Sequence, residues 1–276
     1  MSKNYTALGL MSGTSGDGVD ASVIKSNGKD KYEVVVDKYF AYDKKIYDSI
    51  HESIQSIDSS KDLIKLKNAL SSLEKNITFF HAKVVENFTR ENIDFIGFHG
   101  QTIYHNPKEK ISRQLGDGKL LSQLTKRNVV YNFRENDLKN NGQGAPLTPI
   151  FHKLIINQNK IKKPISILNI GGISNITSLD NDNRIFSSDL GPGNCLIDKW
   201  MRINSKKNYD DKGIVAQSGT INKIILDQAL DNFYNNEVSN KRSYDIKDFD
   251  LAFVRGLSLE DGAATLTEFT SQIICR

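Results

Sequence analysis

The stretch Tyr5-Thr-Ala-Leu-Gly-Leu-Met-Ser-Gly-Thr-Ser-Gly-Asp-Gly-Val-Asp20 decides the fold. A strand-like run, Tyr5 to Met11, enters a turn holding three glycines, and a second run, Val19 to Lys25, leaves it. Asn27-Gly28 marks the next turn and Tyr32 to Tyr42 a third run. Strands joined by links this short pair as an antiparallel meander, because a parallel crossover needs a dozen residues or more.

Beyond the meander, Leu63, Leu66, Leu70, Leu73, Ile77, Phe80, Val84 and Phe88 recur at spacings of three and four, which predicts one long helical stripe. Ile93 to Phe98 is continuously apolar, as a buried parallel strand is, and Val129 to Phe133 reads as another. The polar segment from Asn157 to Lys163, followed by Pro164, divides the chain into domains 1–160 and 161–276. After it the opening arrangement recurs. Ile165 to Ile170 is a strand, Gly171-Gly172 a tight turn, Asn175 to Leu179 a strand, and Arg184 to Ser188 a third. No residue-level repeat accompanies this, so the duplication is architectural. Ser258 caps a last helix with Asp261 three residues on, and Leu266, Phe269 and Ile273 line its core face. No strand follows that helix, which leaves the second domain short of central parallel strands.

Composition narrows the function classes. Hydrophobic residues at 38% and charged residues at 25% suit a soluble globular protein. The net charge of +4 comes from scattered basic residues, whose densest groups are Lys160, Lys162, Lys163 and Lys206, Lys207. That pattern reads as a solvated surface rather than a nucleic-acid footprint. Two cysteines, Cys195 and Cys275, cannot make a disulfide framework. With no apolar core in the first residues and no run of membrane-spanning length, the expected location is the cytoplasm, with no membrane partner.

Five segments carry candidate chemistry. In Ser12 to Asp20, Gly13, Gly16 and Gly18 with Ser12, Thr14 and Ser15 let backbone amides approach an anion. Asp17 and Asp20 are of the type that holds a hydrated Mg²⁺. The segment is not a Walker loop, since no Gly-Lys-Ser/Thr and no helix follow. An ordinary hairpin turn would read the same in isolation. The second segment, Asn169-Ile-Gly171-Gly172-Ile-Ser174-Asn175, is its counterpart in the second half. Two such hairpins facing one another across a cleft would clamp a polyphosphate. The third, Asp189-Leu-Gly-Pro-Gly-Asn194, places a carboxylate at a strand end, where it reads equally as a general base or as a helix cap. The fourth, Phe98-His99-Gly-Gln101-Thr102-Ile-Tyr-His105, ends the apolar strand with donors and acceptors suited to a sugar. His99, His105 and His152 lack the paired spacing of a zinc site. The fifth runs from Phe133-Arg134-Glu-Asn-Asp137 to Gly142-Gln-Gly144-Ala-Pro-Leu147. There Arg134 could grip a carboxylate or phosphate, and a plain surface loop reads almost as well.

In content and order these segments resemble the anhydro-N-acetylmuramic acid kinase family. The segment from Tyr209-Asp-Asp-Lys-Gly213 through Ala216 to Gly219 fits as well. The resemblance implies an α/β fold of two actin-like (ribonuclease H-like) domains around a cleft. It implies ATP and Mg²⁺ as cofactors and 1,6-anhydro-N-acetylmuramic acid as the small-molecule substrate. The reaction would hydrolyse the anhydro bridge and phosphorylate the freed O6. Carried over, Asp189 activates the attacking water. Gly13, Thr14, Ser15, Gly16, Asp17, Gly18, Val19 and Asp20 cradle the nucleotide phosphates with Gly171 and Gly172, and Asp17 and Asp20 take the metal. His99, Gln101, Thr102, Arg134, Gly144 and Asn194 face the sugar. Two other readings stay open: a non-catalytic sugar-binding relative and another actin-like ATPase. The chain departs from the family pattern at Asn132 (for Asp), Asn141 (for Gly) and Leu190 (for Thr). Family members also continue past the last helix with a strand and a Gly-rich turn near adenosine. The second domain is therefore expected to be truncated at its C-terminus, with an uncovered apolar face that invites a homodimer.

Overall fold

The computed structural model describes residues 3–235 and 243–276. The chain folds into two compact units, Met1–Lys162 and Lys163–Arg276, each with its own sheet. The whole is a mixed α/β protein.

In the first unit, β1 (Tyr5–Ser12), β2 (Gly18–Ser26) and β3 (Tyr32–Ala41) form the antiparallel meander, with Leu8 opposite Val23. Leu8 and Leu10 are buried while the interleaved Gly9 and Met11 are exposed, the period-two pattern of a strand covered on one face. β4 (Phe95–Asn106) pairs with β1 in parallel, and β6 (Asn128–Tyr131) pairs in parallel with β4. β5 (Ile111–Leu115) closes a hairpin on the far half of β4, giving the order β3-β2-β1-β4-β5 with β6 beside β4.

Three features differ from the sequence expectation. β4 does not stop where its apolar run ends at Phe98. It continues through His99 to Asn106, because β5 satisfies the backbone of this polar half, from Gln101 opposite Leu115 to Asn106 opposite Ile111. The helical stripe is broken into α2 (Ser60–Lys65) and α3 (Lys67–Glu86) at Leu66, whose ψ of 6° leaves the helical range. The Ser59–Asp62 capping box starts the short piece, with Asp62 Oδ2 accepting the Ser59 N–H at 3.0 Å. A further helix, α1 (Lys44–Gln55), went unread; Asp43 caps it and Ile46, Ile50 and Ile54 line its buried side. α4 (Gly118–Thr125), α5 (Glu135–Lys139) and α6 (Pro149–Gln158) complete the unit.

In the second unit, β7 (Ile165–Ile170), β8 (Ile173–Leu179) and β9 (Ile185–Pro192) repeat the meander as a three-stranded antiparallel sheet. β9 runs four residues past Ser188, so Asp189 lies within the strand, opposite Asn175, rather than after it. The core belongs to helices α7 (Cys195–Asn204), α9 (Lys223–Asn235) and α10 (Leu259–Cys275), with α8 (Ile214–Ser218) beside them. Trp200, Leu230, Phe233, Leu266, Phe269 and Ile273 meet there. Each large apolar side chain so buried contributes about 1.5–3 kcal/mol, so helix packing rather than strand pairing holds this unit together. Ser258 Oγ accepts the Asp261 N–H at 3.0 Å, but the Asp261 carboxylate accepts from Thr220 N–H at 2.7 Å instead of closing a reciprocal box. Among the described residues no helix is long and apolar enough to cross a membrane.

Candidate functional site

The first Gly-rich turn is pinned at both ends. Ser12, almost wholly buried, donates its hydroxyl to Gly18 O at 3.0 Å and lies 2.6 Å from the Tyr42 hydroxyl. The Tyr42 N–H also donates to Asp17 O at 2.9 Å, a second tie between the end of β3 and the turn. Burial pushes the Tyr42 phenol well up, so it stays protonated, and because Ser12 gives its one hydroxyl proton to Gly18 O, Tyr42 is the donor to Ser12. Within the turn Gly16 takes φ +62° and donates to Gly13 O at 3.2 Å. A Cβ at Gly16 would press on Ile50, so only glycine fits.

Thr14, Asp17 and Asp20 are exposed, Ser15 is half-exposed and Val19 is buried in β2. Ser15 Oγ donates to Asp17 Oδ1 at 2.6 Å. Partial burial and the Asp17 charge raise the Asp20 pKa. Two carboxylates close enough to repel suit a divalent cation, which would relieve that repulsion. The donor set therefore fits Mg²⁺ held partly by water, although among the described residues no group of three or more His, Cys, Asp or Glu is placed to hold a metal alone.

The end of the β1–β4 parallel ladder carries the next group. Gln101, fully buried, donates Nε2–H to Gly13 O at 2.9 Å, so this residue braces the turn from below. Its Oε1 is buried with no hydrogen-bond partner among the described residues. Thr102 turns towards β5, where its Oγ1 accepts from Gln114 at 3.1 Å. His99 lies in another network, since its Nε2 meets the Arg134 guanidinium at 3.0 Å and its Nδ1 lies 2.7 Å from Gly100 O. A carbonyl can only accept and a guanidinium can only donate, so His99 carries its proton on Nδ1 and offers Nε2 as acceptor. Burial, and then the Arg134 charge, push His99 down to about 4, which keeps that tautomer neutral at ordinary pH.

Arg134 also donates from Nη1 to Gly144 O at 2.6 Å. Gly144 sits at φ +68° against Leu138, and its N–H donates to Asp137 Oδ2 at 2.7 Å. Gly142 N–H donates to the Asp137 carbonyl at 2.8 Å. His105, the last residue of the Phe98–His105 segment, lies near enough for the Arg134 charge to help burial push it down to about 4. Two departures from the family pattern also find their place here. Asn132 and Asn141 take φ +61° and +66°, a conformation asparagine tolerates better than other non-glycine residues.

The second unit holds the remaining candidates. Gly193 N–H and Cys195 N–H donate to Gly172 O at 2.9 and 3.1 Å, and Asn194 N–H donates to Gly171 O at 2.8 Å. A Cβ at Gly193 would collide with Gly171 O. Because a trans peptide sets its N–H opposite its C=O, binding the Gly171 carbonyl to the start of α7 turns the Gly172 N–H away from that helix. Asn194 also reaches Ile170 O at 3.4 Å through Nδ2. Asp189, half-buried, is not the cap of α7, which begins after Asn194. Its Oδ2 accepts the Tyr244 N–H at 2.8 Å, which fixes the carboxylate. Burial, and then the Asp189 charge, push the Tyr244 phenol up to about 12. Asp210, in the Tyr209–Gly213 segment, accepts from Val215 N–H and Ala216 N–H at 2.9 Å each and so holds α8. Nothing in the sequence alone pairs Tyr244 with Asp189.

The family model for anhydro-N-acetylmuramic acid kinase matches residues 5–276. The anhydro-N-acetylmuramic acid kinase of Pelagibacter ubique is 54% identical over 99% of this chain and 74% of its own length. Those of Zymomonas mobilis and Rhodopseudomonas palustris are each 36% identical over 98% of this chain and 76% and 75% of theirs. Among solved structures, ethanolamine utilization protein EutJ from Carboxydothermus hydrogenoformans aligns with a TM-score of 0.32 at 10% identity, covering 97% of this chain and 89% of that one, a likeness too slight to carry an argument. The chain belongs to the anhydro-N-acetylmuramic acid kinase family.

Proposed function

We propose that this chain is an ATP-dependent kinase acting on 1,6-anhydro-N-acetylmuramic acid. Water adds to the anomeric carbon as the bond from that carbon to O6 breaks, and the freed O6 takes the γ-phosphoryl group. The products are N-acetylmuramic acid 6-phosphate and ADP. Each unit is read as an actin-like domain, supported by the meander that opens both.

The observation that carries the reading is the fixed carboxylate of Asp189, held at 2.8 Å by the Tyr244 N–H. A positioned carboxylate takes the proton from the attacking water, a role worth about 10²–10⁴-fold in rate. Amides of the first Gly-rich turn, held in shape by Gly16, cradle phosphate oxygens, which is most of what phosphoryl transfer asks of a protein, and the Gly172 N–H is read as a phosphate donor of the second unit. Asp17 and Asp20 would hold Mg²⁺, which neutralises charge on the phosphates. Arg134, fixed by His99 and Gly144, grips the lactyl carboxylate or a sugar oxygen.

The test is incubation with anhydro-sugar, ATP and Mg²⁺ in ¹⁸O-labelled water. Label at the anomeric hydroxyl together with phosphate on O6 is expected. Asp189→Asn should abolish both, and full activity in that variant would refute the base assignment. Sugar binding without turnover in the unmodified chain would favour a non-catalytic sugar-binding protein. A cytoplasmic location belongs to the same reading; a homodimer would appear as doubled mass in light scattering.

A further inference from the structure

The geometry points to Asp137 as the positioning residue that aims Arg134 at the substrate, an inference that rests on the proposed sugar-binding role of Arg134. Arg134 is held by two acceptors on separate segments, His99 Nε2 at 3.0 Å on β4 and Gly144 O at 2.6 Å on the loop after α5. β4 is a paired strand and cannot drift, whereas Gly144 lies in an irregular stretch between α5 and α6. What fixes that stretch is Asp137. Its carboxylate accepts the Gly144 N–H at 2.7 Å and its carbonyl accepts the Gly142 N–H at 2.8 Å. A Cβ at Gly142 would collide with the Asp137 carboxylate, so glycine is required for this closure. The loop is thus folded onto the first turn of α5, directly after Arg134, and the Gly144 carbonyl is delivered to the guanidinium.

This arrangement makes a chemical choice. A guanidinium gripped on two sides presents a fixed fork, and a fixed fork discriminates a planar carboxylate from a neutral hydroxyl. Asp137 is itself exposed, so its role is not core packing. Asp137 therefore acts through Gly144 and Arg134 on affinity for the anionic sugar, and leaves the nucleotide side alone.

The experiment is titration calorimetry of the full chain with 1,6-anhydro-N-acetylmuramic acid and, separately, with Mg²⁺-ATP. Asp137→Ala should weaken sugar binding at least tenfold and change nucleotide binding less than twofold. Asp137→Asn keeps an oxygen for the Gly144 N–H and should stay within threefold of the parent for both ligands. Adding Asp137→Ala to Arg134→Lys should weaken the sugar by no more than a further twofold, because both act through one contact. Sugar binding unchanged in Asp137→Ala, equal losses for both ligands, or additive losses in the double variant would each overturn the proposal. Should Asp137→Ala fail to fold, Asp137→Ser, too short to hold Gly144, makes the same comparison. A parent chain that binds nucleotide but no sugar defeats the functional reading first, and this inference with it, before any variant is made.

Discussion

Gln101 on β4 donates its side-chain amide to the carbonyl of Gly13 at 2.9 Å, tying the middle of the sheet to the first Gly-rich turn across 88 positions of sequence. The sequence reading assigned Gln101 to the sugar. The bond commits its donor to the first Gly-rich turn, the proposed nucleotide loop. Gln101→Leu keeps similar bulk and removes the donor, and is expected to cost about 1–2 kcal/mol in urea unfolding. The KM for ATP should rise several-fold with the sugar KM less affected. An effect confined to the sugar would show that the tie to Gly13 is incidental.

Gly16 tests the conformation of the same turn. At φ +62° an L-residue is strained by about 1–2 kcal/mol, and the added methyl would also press on Ile50. Gly16→Ala is therefore expected to lower the thermal midpoint and raise the KM for ATP. By contrast Gly28, at φ +70° with open space around it, should show only the conformational cost when replaced by alanine. Equal behaviour of the two variants in stability and KM would deny Gly16 its proposed place in a nucleotide loop.

Much of the fold was legible because it is local. β1, β2 and β3 announce themselves through apolar runs and Gly-rich links, and the Ser258 cap sits one residue before its helix. The polar half of β4 was not legible, because its partner β5 satisfies it from outside the local pattern. Nor was the break at Leu66, where spacing continued but the backbone did not. The site divides in the same way. Its glycines could be read from turn chemistry, and Asp189 and Arg134 from their place near strand ends. The contacts that fix those two side chains, Tyr244 to Asp189 and His99 to Arg134, span 55 and 35 positions and leave no local signature.

Asp210 gives a prediction for the second unit that is separate from chemistry. Its two carboxylate oxygens each accept one backbone N–H at the start of α8, at 2.9 Å. Asp210→Ala strands two amide donors and is expected to cost about 1–2 kcal/mol, the range of a lost helix cap. Asp210→Asn retains one acceptor and should lie between. Denaturant midpoints of the three proteins check the order, and an alanine variant as stable as the parent would remove Asp210 as the anchor of α8.

His81 predicts how stability depends on pH. It is wholly buried, with Nδ1 2.8 Å from Ile77 O and its ring 4.8 Å from Phe98. Burial pushes it down to about 4 against an ordinary value of 6.5. Between those values the unfolded chain binds a proton that the folded chain refuses. Stability is therefore full above about pH 6.5 and falls as pH drops towards 4, by up to roughly 1.4 kcal/mol per pH unit for each such histidine. His99 and His105, also pushed down to about 4, add to the same slope. His81→Phe keeps an aromatic ring against Phe98 and removes the titrating group. The variant should match the parent near pH 7 more closely than at pH 5, where it should be relatively more stable. Urea unfolding from pH 5 to 7 reads the difference as one proton less taken up on unfolding. An unchanged slope would mean that His81 is not excluded from protonation in the folded chain.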